Sequence, residues 1–145
     1  NVTPKAEFNF YNDPAAAHQD LSSGLPVTLT DLAACRQLAI ERQQALQLTC
    51  KQPLGQLALR IVQHWFHRDP NRQKFEFYDP LALALALNPM IATVRQLSLE
   101  IETSSAEDLG ETKVLEGVGA VEVASKVDQG RFFSMLECLL GWQGL

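Results

Sequence analysis

The pattern of apolar and polar positions predicts a chain in which helices and strands alternate. Asp13 followed by Pro14 is a typical helix start, because the carboxylate can cap free N–H groups and proline suits the first helical position. Gly24 fits the end of that helix. The apolar run Leu25–Leu29 then predicts a strand, with Pro26 near its start, where no ladder donor is needed.

Apolar residues at helical spacing predict two further helices between residues 30 and 66. The first opens at Thr30-Asp31, and its partly apolar face extends to Leu46. The second opens at Pro53, and its predicted buried face consists of Leu54, Leu57, Ala58, Ile61, Val62, Trp65 and Phe66. The polar, proline-containing segment His67–Glu76 predicts a loop.

The second half of the chain predicts a buried helix followed by two strands. Leu81–Leu87 is apolar all round, which is typical of a buried helix, and it follows the start signal Asp79-Pro80. Alternating apolar and polar positions in Leu97–Ile101 and within Val118–Val127 indicate half-exposed strands.

A final amphipathic helix completes the pattern. Asp128 is its predicted cap, and its predicted buried side is Phe132, Phe133, Met135, Leu136, Leu139 and Leu140. Helices and strands that alternate early, with a pair of strands late, predict an α/β fold with a mixed sheet. The 145 residues are enough for one hydrophobic core, so residues 1–145 are predicted to form a single domain.

The charge balance argues against nucleic acid and membrane partners. The net charge is -5 and the pI is about 5.1, so the chain has no electrostatic footprint for polyanions. No apolar run approaches the roughly 20 residues that span a bilayer. The three cysteines form no CxxC pair and are odd in number, so we expect reduced thiols in a cytoplasmic protein.

The densest cluster of candidate binding residues is Asn1, Glu7 and Asn9. Two amides and a carboxylate in one short segment suit a polyol, because each offers donors or acceptors to vicinal hydroxyl groups. Considered alone, the cluster is better explained as a solvated loop.

Asp79, between Tyr78 and Pro80, has two interpretations. A helix cap is the commonest role of an aspartate before proline. A carboxylate at a helix start can also bind a hard cation through oxygen. From the residues alone, the cap is favoured.

Two other sets of polar residues give weaker hypotheses. His64 and His67 can share a helix face, but no third ligand is near in sequence for a zinc site. The second set is an acidic stretch, Glu100, Glu102, Glu107, Asp108 and Glu111. Its composition indicates a solvated strand face and loop rather than paired catalytic carboxylates.

Taken together, these segments resemble the inosine-uridine preferring nucleoside hydrolase family. The matching segments are Asn1–Pro4 with Ala6–Asn9, Tyr11–Ala17, Ser23–Val27, Asp79–Ala82 with Asn88-Pro89, and Val127-Asp128 with Phe132-Phe133. The first motif is specific, because several spaced positions agree. The resemblance covers nearly the whole chain and implies the C-terminal portion of a nucleoside-hydrolase-like, Rossmann-like α/β fold.

The resemblance also implies roles for individual residues. Asn1, Glu7 and Asn9 would hold the ribose hydroxyl groups of a nucleoside, and Asp79 would complete a calcium shell. Tyr78 is the implied catalytic residue, because it stands where family members commonly have a histidine near the leaving base. Tyrosine can donate a hydrogen bond, but its pKa of about 10 makes it a poorer acid at neutral pH. The implied substrate is a small nucleoside, and the implied assembly is a homo-oligomer.

The family's Asp-rich motif, which supplies most calcium ligands and the base for the attacking water, is absent from residues 1–145. The sequence also lacks an initiator methionine. We therefore expect a partial domain of a larger calcium-dependent enzyme that hydrolyses the N-glycosidic bond of ribonucleosides, with this fragment inactive alone. The alternatives are a non-catalytic nucleoside-binding remnant and, last, an interaction module, which would leave the spacing of the first motif unexplained.

Overall fold

The computed structural model describes residues 2–145, so the candidate ribose ligand Asn1 lies outside the described residues. The chain forms two compact units. Unit 1 contains the chain up to Leu32 together with Val94–Ser125, and unit 2 contains Ala33–Thr93 together with Lys126–Leu145. The expectation of a single partial domain stays a prediction.

Helices and strands alternate along the chain. The helices are α1 Phe8–Asn12, α2 Pro14–Ser22, α3 Leu32–Cys35, α4 Arg42–Gln47, α5 Pro53–His67, α6 Tyr78–Leu87 and α7 Gln129–Leu140, with a 3-10 turn at Pro89–Ile91. The strands are β1 Val27–Leu29, β2 Ala39–Glu41, β3 Thr49–Cys50, β4 Lys74–Glu76, β5 Ala92–Ile101, β6 Thr112–Leu115, β7 Val121–Val127 and β8 Trp142–Gln143. Within residues 2–145, no helix is long and apolar enough to cross a membrane.

A four-stranded sheet has the order β1-β7-β5-β6, and most of its residues belong to unit 1. β1 and β7 are parallel, with Val27 opposite Val121 and Leu29 opposite Val123. β5 and β6 are antiparallel, so the sheet is mixed. The predicted α/β fold with a mixed sheet is therefore confirmed.

Two predicted helix starts are confirmed by their capping bonds. Asp13 Oδ1 accepts a hydrogen bond from the backbone N–H of Ala16 at 2.9 Å, at the start of α2. Asp128 Oδ1 accepts one from the backbone N–H of Arg131 at 3.0 Å, at the start of α7. Each bond satisfies an N–H group that has no partner within the helix.

The predicted helix from Asp31 to Leu46 is wrong. The structure divides this segment into α3, β2 and α4. Leu38 and Ile40 are both fully buried, and Ile40 pairs with Phe75 of β4, a strand in the segment that was predicted as a loop. Burial two residues apart is the period of a strand, and pairing with a distant strand overrides the local helical spacing.

Helix α5 is present as predicted, but its buried face is different. The buried residues, which pack toward α4, β3 and α7, are Gly55, Leu59, Val62 and Phe66. Leu54, Leu57 and Ile61, which were predicted to be buried, are exposed. Apolar residues lie around much of this helix, so their spacing alone does not identify the packed face.

Helices α6 and α7 are also less buried than predicted. Leu83 and Leu87 of α6 are exposed, which contradicts burial all round that helix. In α7, Phe132 is buried but Leu139 is exposed. Both helices therefore pack through one side only.

The core of unit 2 contains a row of aromatic rings in edge-to-face contact. Trp65, Phe75, Phe77 and Phe132 follow one another with centroid separations of 5.3 to 5.4 Å. Edge-to-face pairs at this distance add to the stabilisation from burial. Phe132 joins α7 to this row.

Phe132→Ala is expected to lower the free energy of unfolding by about 3–5 kcal/mol, because it leaves a cavity in the aromatic row. Leu139→Ala, on the exposed side of the same helix, is expected to change it by less than about 0.5 kcal/mol. Urea denaturation followed by circular dichroism measures both. Equal losses in the two variants would show that Phe132 is not the anchor of α7.

Candidate functional site

Glu7 is held at the start of α1 by the backbone of that helix. Its Oε2 accepts hydrogen bonds from the backbone N–H groups of Asn9 at 2.8 Å and Phe10 at 3.4 Å. The carboxylate is therefore the N-cap of α1 and satisfies free N–H groups of the first turn. These bonds fix the position of the carboxylate.

Asn9 lies beside this carboxylate. Its side-chain amide donates to Glu7 Oε1 at 3.4 Å, and the residue is exposed. A carboxylate has about four lone-pair sites, and an amide has both donors and an acceptor, so each side chain can form further bonds. The structure thus brings together two of the predicted ribose ligands in a form that suits vicinal hydroxyl groups.

The segment before Glu7 is an ordered turn. Thr3 Oγ1 accepts hydrogen bonds from the backbone N–H groups of Lys5 at 3.2 Å and Ala6 at 2.9 Å. The N–H of Val2 donates to the carbonyl oxygen of Ala6 at 3.1 Å. Ala6, which directly precedes Glu7, is only 1% exposed, so its burial holds the backbone in place before Glu7.

Tyr78 is the first residue of α6, and its hydroxyl donates a hydrogen bond to Glu76 Oε2. This bond, with desolvation, raises the pKa of Tyr78 to about 12, because a neighbouring carboxylate favours the protonated phenol. An acid with this pKa gives up its proton at neutral pH even less readily than an ordinary tyrosine. Tyr78 therefore suits hydrogen bonding better than proton donation.

Asp79 is the second residue of α6, and the predicted capping role is wrong. Phe77 occupies the N-cap position, without a capping bond from its side chain. Asp79 is exposed in the first turn, where a negative charge interacts favourably with the helix dipole. Tyr78 and Asp79 belong to unit 2, whereas Glu7 and Asn9 belong to unit 1.

The residues present do not by themselves fit a calcium site. Calcium takes about six to eight oxygen ligands, usually with several carboxylates among them. Within the part of the chain that the structure describes, no group of three or more His, Cys, Asp or Glu side chains can hold a metal ion. Asp79 could supply one ligand to such a site.

One residue of the acidic stretch, Glu102, has a structural role. Glu102 accepts hydrogen bonds from Lys113 Nζ at 2.8 Å and from the hydroxyl and N–H of Ser104 at 2.8 and 3.0 Å. The bonds from Lys113 and Ser104 hold the pKa of the Glu102 carboxyl well below its usual range. This carboxylate is a structural acceptor in the loop that joins β5 and β6.

Sequence reasoning missed Glu76, the partner of Tyr78. Glu76 ends β4, in the segment that was predicted as a loop. Glu76 is the last residue of β4 and Tyr78 is the first residue of α6, so their contact depends on how the chain turns from the strand into the helix, which no sequence pattern in this segment signals.

Comparison with known proteins identifies the family. The model of the inosine-uridine preferring nucleoside hydrolase family matches residues 1–134, which is nearly the whole chain. The chain belongs to the inosine-uridine preferring nucleoside hydrolase family.

Relatives in the nucleoside hydrolase family are substantially longer. The pyrimidine-specific ribonucleoside hydrolase RihA of Shewanella woodyi is 30% identical over 122 residues, which cover 79% of this chain and 38% of that protein. The protein of the same name from Photobacterium profundum is 32% identical over 120 residues, which cover 79% of this chain and 38% of that protein. The chain thus spans well under half the length of these curated relatives.

Solved structures of nucleoside hydrolases show the same fold. A plant nucleoside hydrolase, PpNRh1, aligns with a TM-score of 0.78 and 21% identity over 97% of this chain and 49% of its own. The purine-preferring ribonucleoside hydrolase from Gardnerella vaginalis aligns with a TM-score of 0.72 and 23% identity over 92% of this chain and 45% of its own. The resemblance inferred from the motifs, in fold and in family, is confirmed.

Glu76→Gln is expected to lower the pKa of Tyr78 from about 12 toward about 10, because the carboxylate no longer favours the protonated phenol. The chain has only 2 tyrosines, so an ultraviolet titration of tyrosinate resolves Tyr78 once the curve of Tyr78→Phe is subtracted. Glu41→Gln removes a carboxylate from the neighbouring strand and should leave the curve unchanged.

The same shift predicts a dependence of stability on pH. The pKa is raised in the folded state, so the Tyr78–Glu76 bond stabilises the fold fully below pH about 10, and the contribution is lost as pH rises through about 12. The difference in unfolding free energy between wild type and Tyr78→Phe should shrink over that window. A constant difference would contradict the shift.

Proposed function

We propose that this chain provides the ribose-binding part of an enzyme that hydrolyses the N-glycosidic bond of ribonucleosides. The observation that supports the proposal is the paired arrangement of Glu7 and Asn9 at the start of α1, within the segment matched by the family model. The products would be ribose and the free base.

The chemistry explains why a carboxylate belongs beside the sugar. The bond between the anomeric carbon and the base nitrogen breaks, the base leaves with the electron pair, and water supplies the new oxygen at that carbon. The sugar becomes positively charged in the transition state, as in other glycoside hydrolyses. Glu7 would hold hydroxyl groups and stabilise that charge, while the amide of Asn9 would orient the ring.

We propose calcium as the cofactor of the complete protein, with Asp79 as one of its oxygen ligands. Asp79 would hold the cation through a carboxylate oxygen, and the cation would supply activation of the attacking water. Because residues 2–145 do not provide a sufficient ligand set, the other ligands would come from polypeptide beyond this chain. This fragment alone would then be inactive.

The proposed role of Tyr78 is to form a hydrogen bond close to the leaving base. Its raised pKa makes it a poor source of the proton that the departing base requires. The hydrogen bond that directs the phenol proton of Tyr78 at Glu76 favours a second candidate function, a nucleoside-binding protein of the same family that does not catalyse hydrolysis.

We propose a purine or a pyrimidine ribonucleoside as the substrate. Relatives are named as pyrimidine-specific, and a similar structure is named as purine-preferring, so both classes are candidates. We also propose a small-molecule nucleoside as the ligand, a homo-oligomeric assembly and a cytoplasmic location.

The test is ribose release from inosine and from uridine by the complete protein, with calcium and with a chelator. We expect release that depends on calcium. Nucleoside binding without release would support the non-catalytic candidate instead. No binding and no release would contradict both candidates.

Asn9→Ala and Glu7→Gln are each expected to lower kcat/KM by about 10- to 100-fold, the usual effect of losing a hydrogen bond that involves a charged group. Asn12→Ala is the matched control, because Asn12 is an exposed amide of the same helix whose side chain donates to the carbonyl oxygen of Phe8 at 2.7 Å. If Asn9→Ala and Asn12→Ala have equal effects, Asn9 does not bind the sugar.

A further inference from the structure

The segment that contains Glu7 and Asn9 is fastened to the loop between β5 and β6, which comprises residues 102–111. Ala6 and Glu111 form an isolated antiparallel bridge. Beside it, Lys5 Nζ lies 2.7 Å from Asp108 Oδ1 and 4.0 Å from Glu111 Oε1. Backbone and side-chain contacts therefore hold the residues that immediately precede Glu7.

A second contact lies directly after Asn9. A Cβ on Gly110 would come within 2.7 Å of the carbonyl oxygen of Phe10 and 2.8 Å of the Cα and N of Tyr11. These are backbone atoms, which cannot move aside as a flexible side chain would. Gly110 also has a φ of 78°, a conformation that glycine adopts without strain. Only glycine lets the loop approach α1 this closely.

Backbone hydrogen bonds hold the loop of residues 102–111 in place. The N–H of Gly110 donates to the carbonyl oxygen of Glu102, and the N–H of Glu102 donates to the carbonyl oxygen of Glu111, both at 2.9 Å. The N–H of Glu111 donates to the carbonyl oxygen of Asp108 at 2.9 Å. With the Glu102–Lys113 ion pair, these bonds tie the loop to the β5–β6 hairpin.

We propose that Gly110 and Asp108 are positioning residues that set the place of Glu7 and Asn9, by fixing the backbone on both sides of that pair. The inference rests on the proposed function, because it assigns a consequence for nucleoside binding. Gly110 has the larger role, since its contact is between backbones. The Lys5–Asp108 pair is exposed, and exposed ion pairs contribute little each.

The central test compares Gly110→Ala with Gly24→Ala. Gly24 has nearly the same φ, 76°, but a Cβ there would meet nothing within 4 Å. The two variants thus share the backbone strain and differ in the contact. In the complete protein we expect Gly110→Ala to raise KM for a nucleoside by about tenfold, because the hydroxyl groups of the bound nucleoside are no longer held in place. Gly24→Ala should leave KM unchanged.

Hydrogen exchange provides a readout that does not depend on nucleoside. We expect faster exchange of the backbone N–H groups of Val2, Ala6 and Tyr11 in Gly110→Ala and not in Gly24→Ala, as followed by mass spectrometry. Faster exchange with an unchanged KM would overturn the positioning role and leave the proposed function intact. Wild-type protein that binds no nucleoside would overturn the proposed function and the role of Gly110 with it.

Asp108→Asn provides a second test if Gly110→Ala does not fold. We expect KM to rise about twofold to fivefold, the range open to an exposed ion pair. Glu41→Gln is the matched control, because Glu41 forms another exposed ion pair, with Lys74 at 3.3 Å. The exchanged pair Lys5→Asp with Asp108→Lys should restore KM. Equal effects of Asp108→Asn and Glu41→Gln, or no restoration by the exchange, would overturn the role of Asp108.

Discussion

The close approach of two backbones, at Gly110 and at Phe10–Tyr11, is the constraint on which the candidate site depends. It requires a residue without a Cβ in a left-handed conformation, and the loop around it is tied to an antiparallel hairpin. No residue of the short helix α1 is fully buried, although Phe10 and Tyr11 are half-buried, so packing of its side chains is only part of what holds it. The bridge at Ala6, the cap at Glu7 and this contact supply the rest.

Both local contacts and a long-range contact position the Glu7 carboxylate. Glu7 is oriented locally, by backbone N–H groups in the first turn of the helix that it caps. The turn before it is also local, through the hydroxyl of Thr3. The bridge to Glu111 is a distant pairing, made across about a hundred residues of chain. A carboxylate placed in this way loses little conformational freedom when it binds a ligand, which is the basis of preorganised binding.

The sequence was sufficient where local chemistry decides the structure. Asp13 and Asp128 cap their helices as predicted, because a carboxylate before a helix satisfies its free N–H groups. The same signal at Asp79 gives a wrong prediction, because α6 already begins at Tyr78. The alternating strands were identified by period. The predictions were wrong where contacts with distant residues determine the structure. Ile40 belongs to a strand because it pairs with Phe75. The buried face of α5 is determined by the elements that pack against it. Motif resemblance supplied the family, but it did not reveal Glu76 or Gly110, whose roles arise from contacts.

The hydrogen bond from Tyr78 to Glu76 has a consequence for recognition. A phenol has one proton, and here that proton is directed at a carboxylate. Toward any other neighbour, the oxygen of Tyr78 offers only lone pairs. A molecule that bonds to this oxygen while the pair is intact must therefore present an N–H or O–H of its own. A free tyrosine hydroxyl can both donate and accept a hydrogen bond, but Tyr78 paired with Glu76 can only accept one. The pair therefore selects ligand groups that donate a hydrogen bond over groups that only accept one.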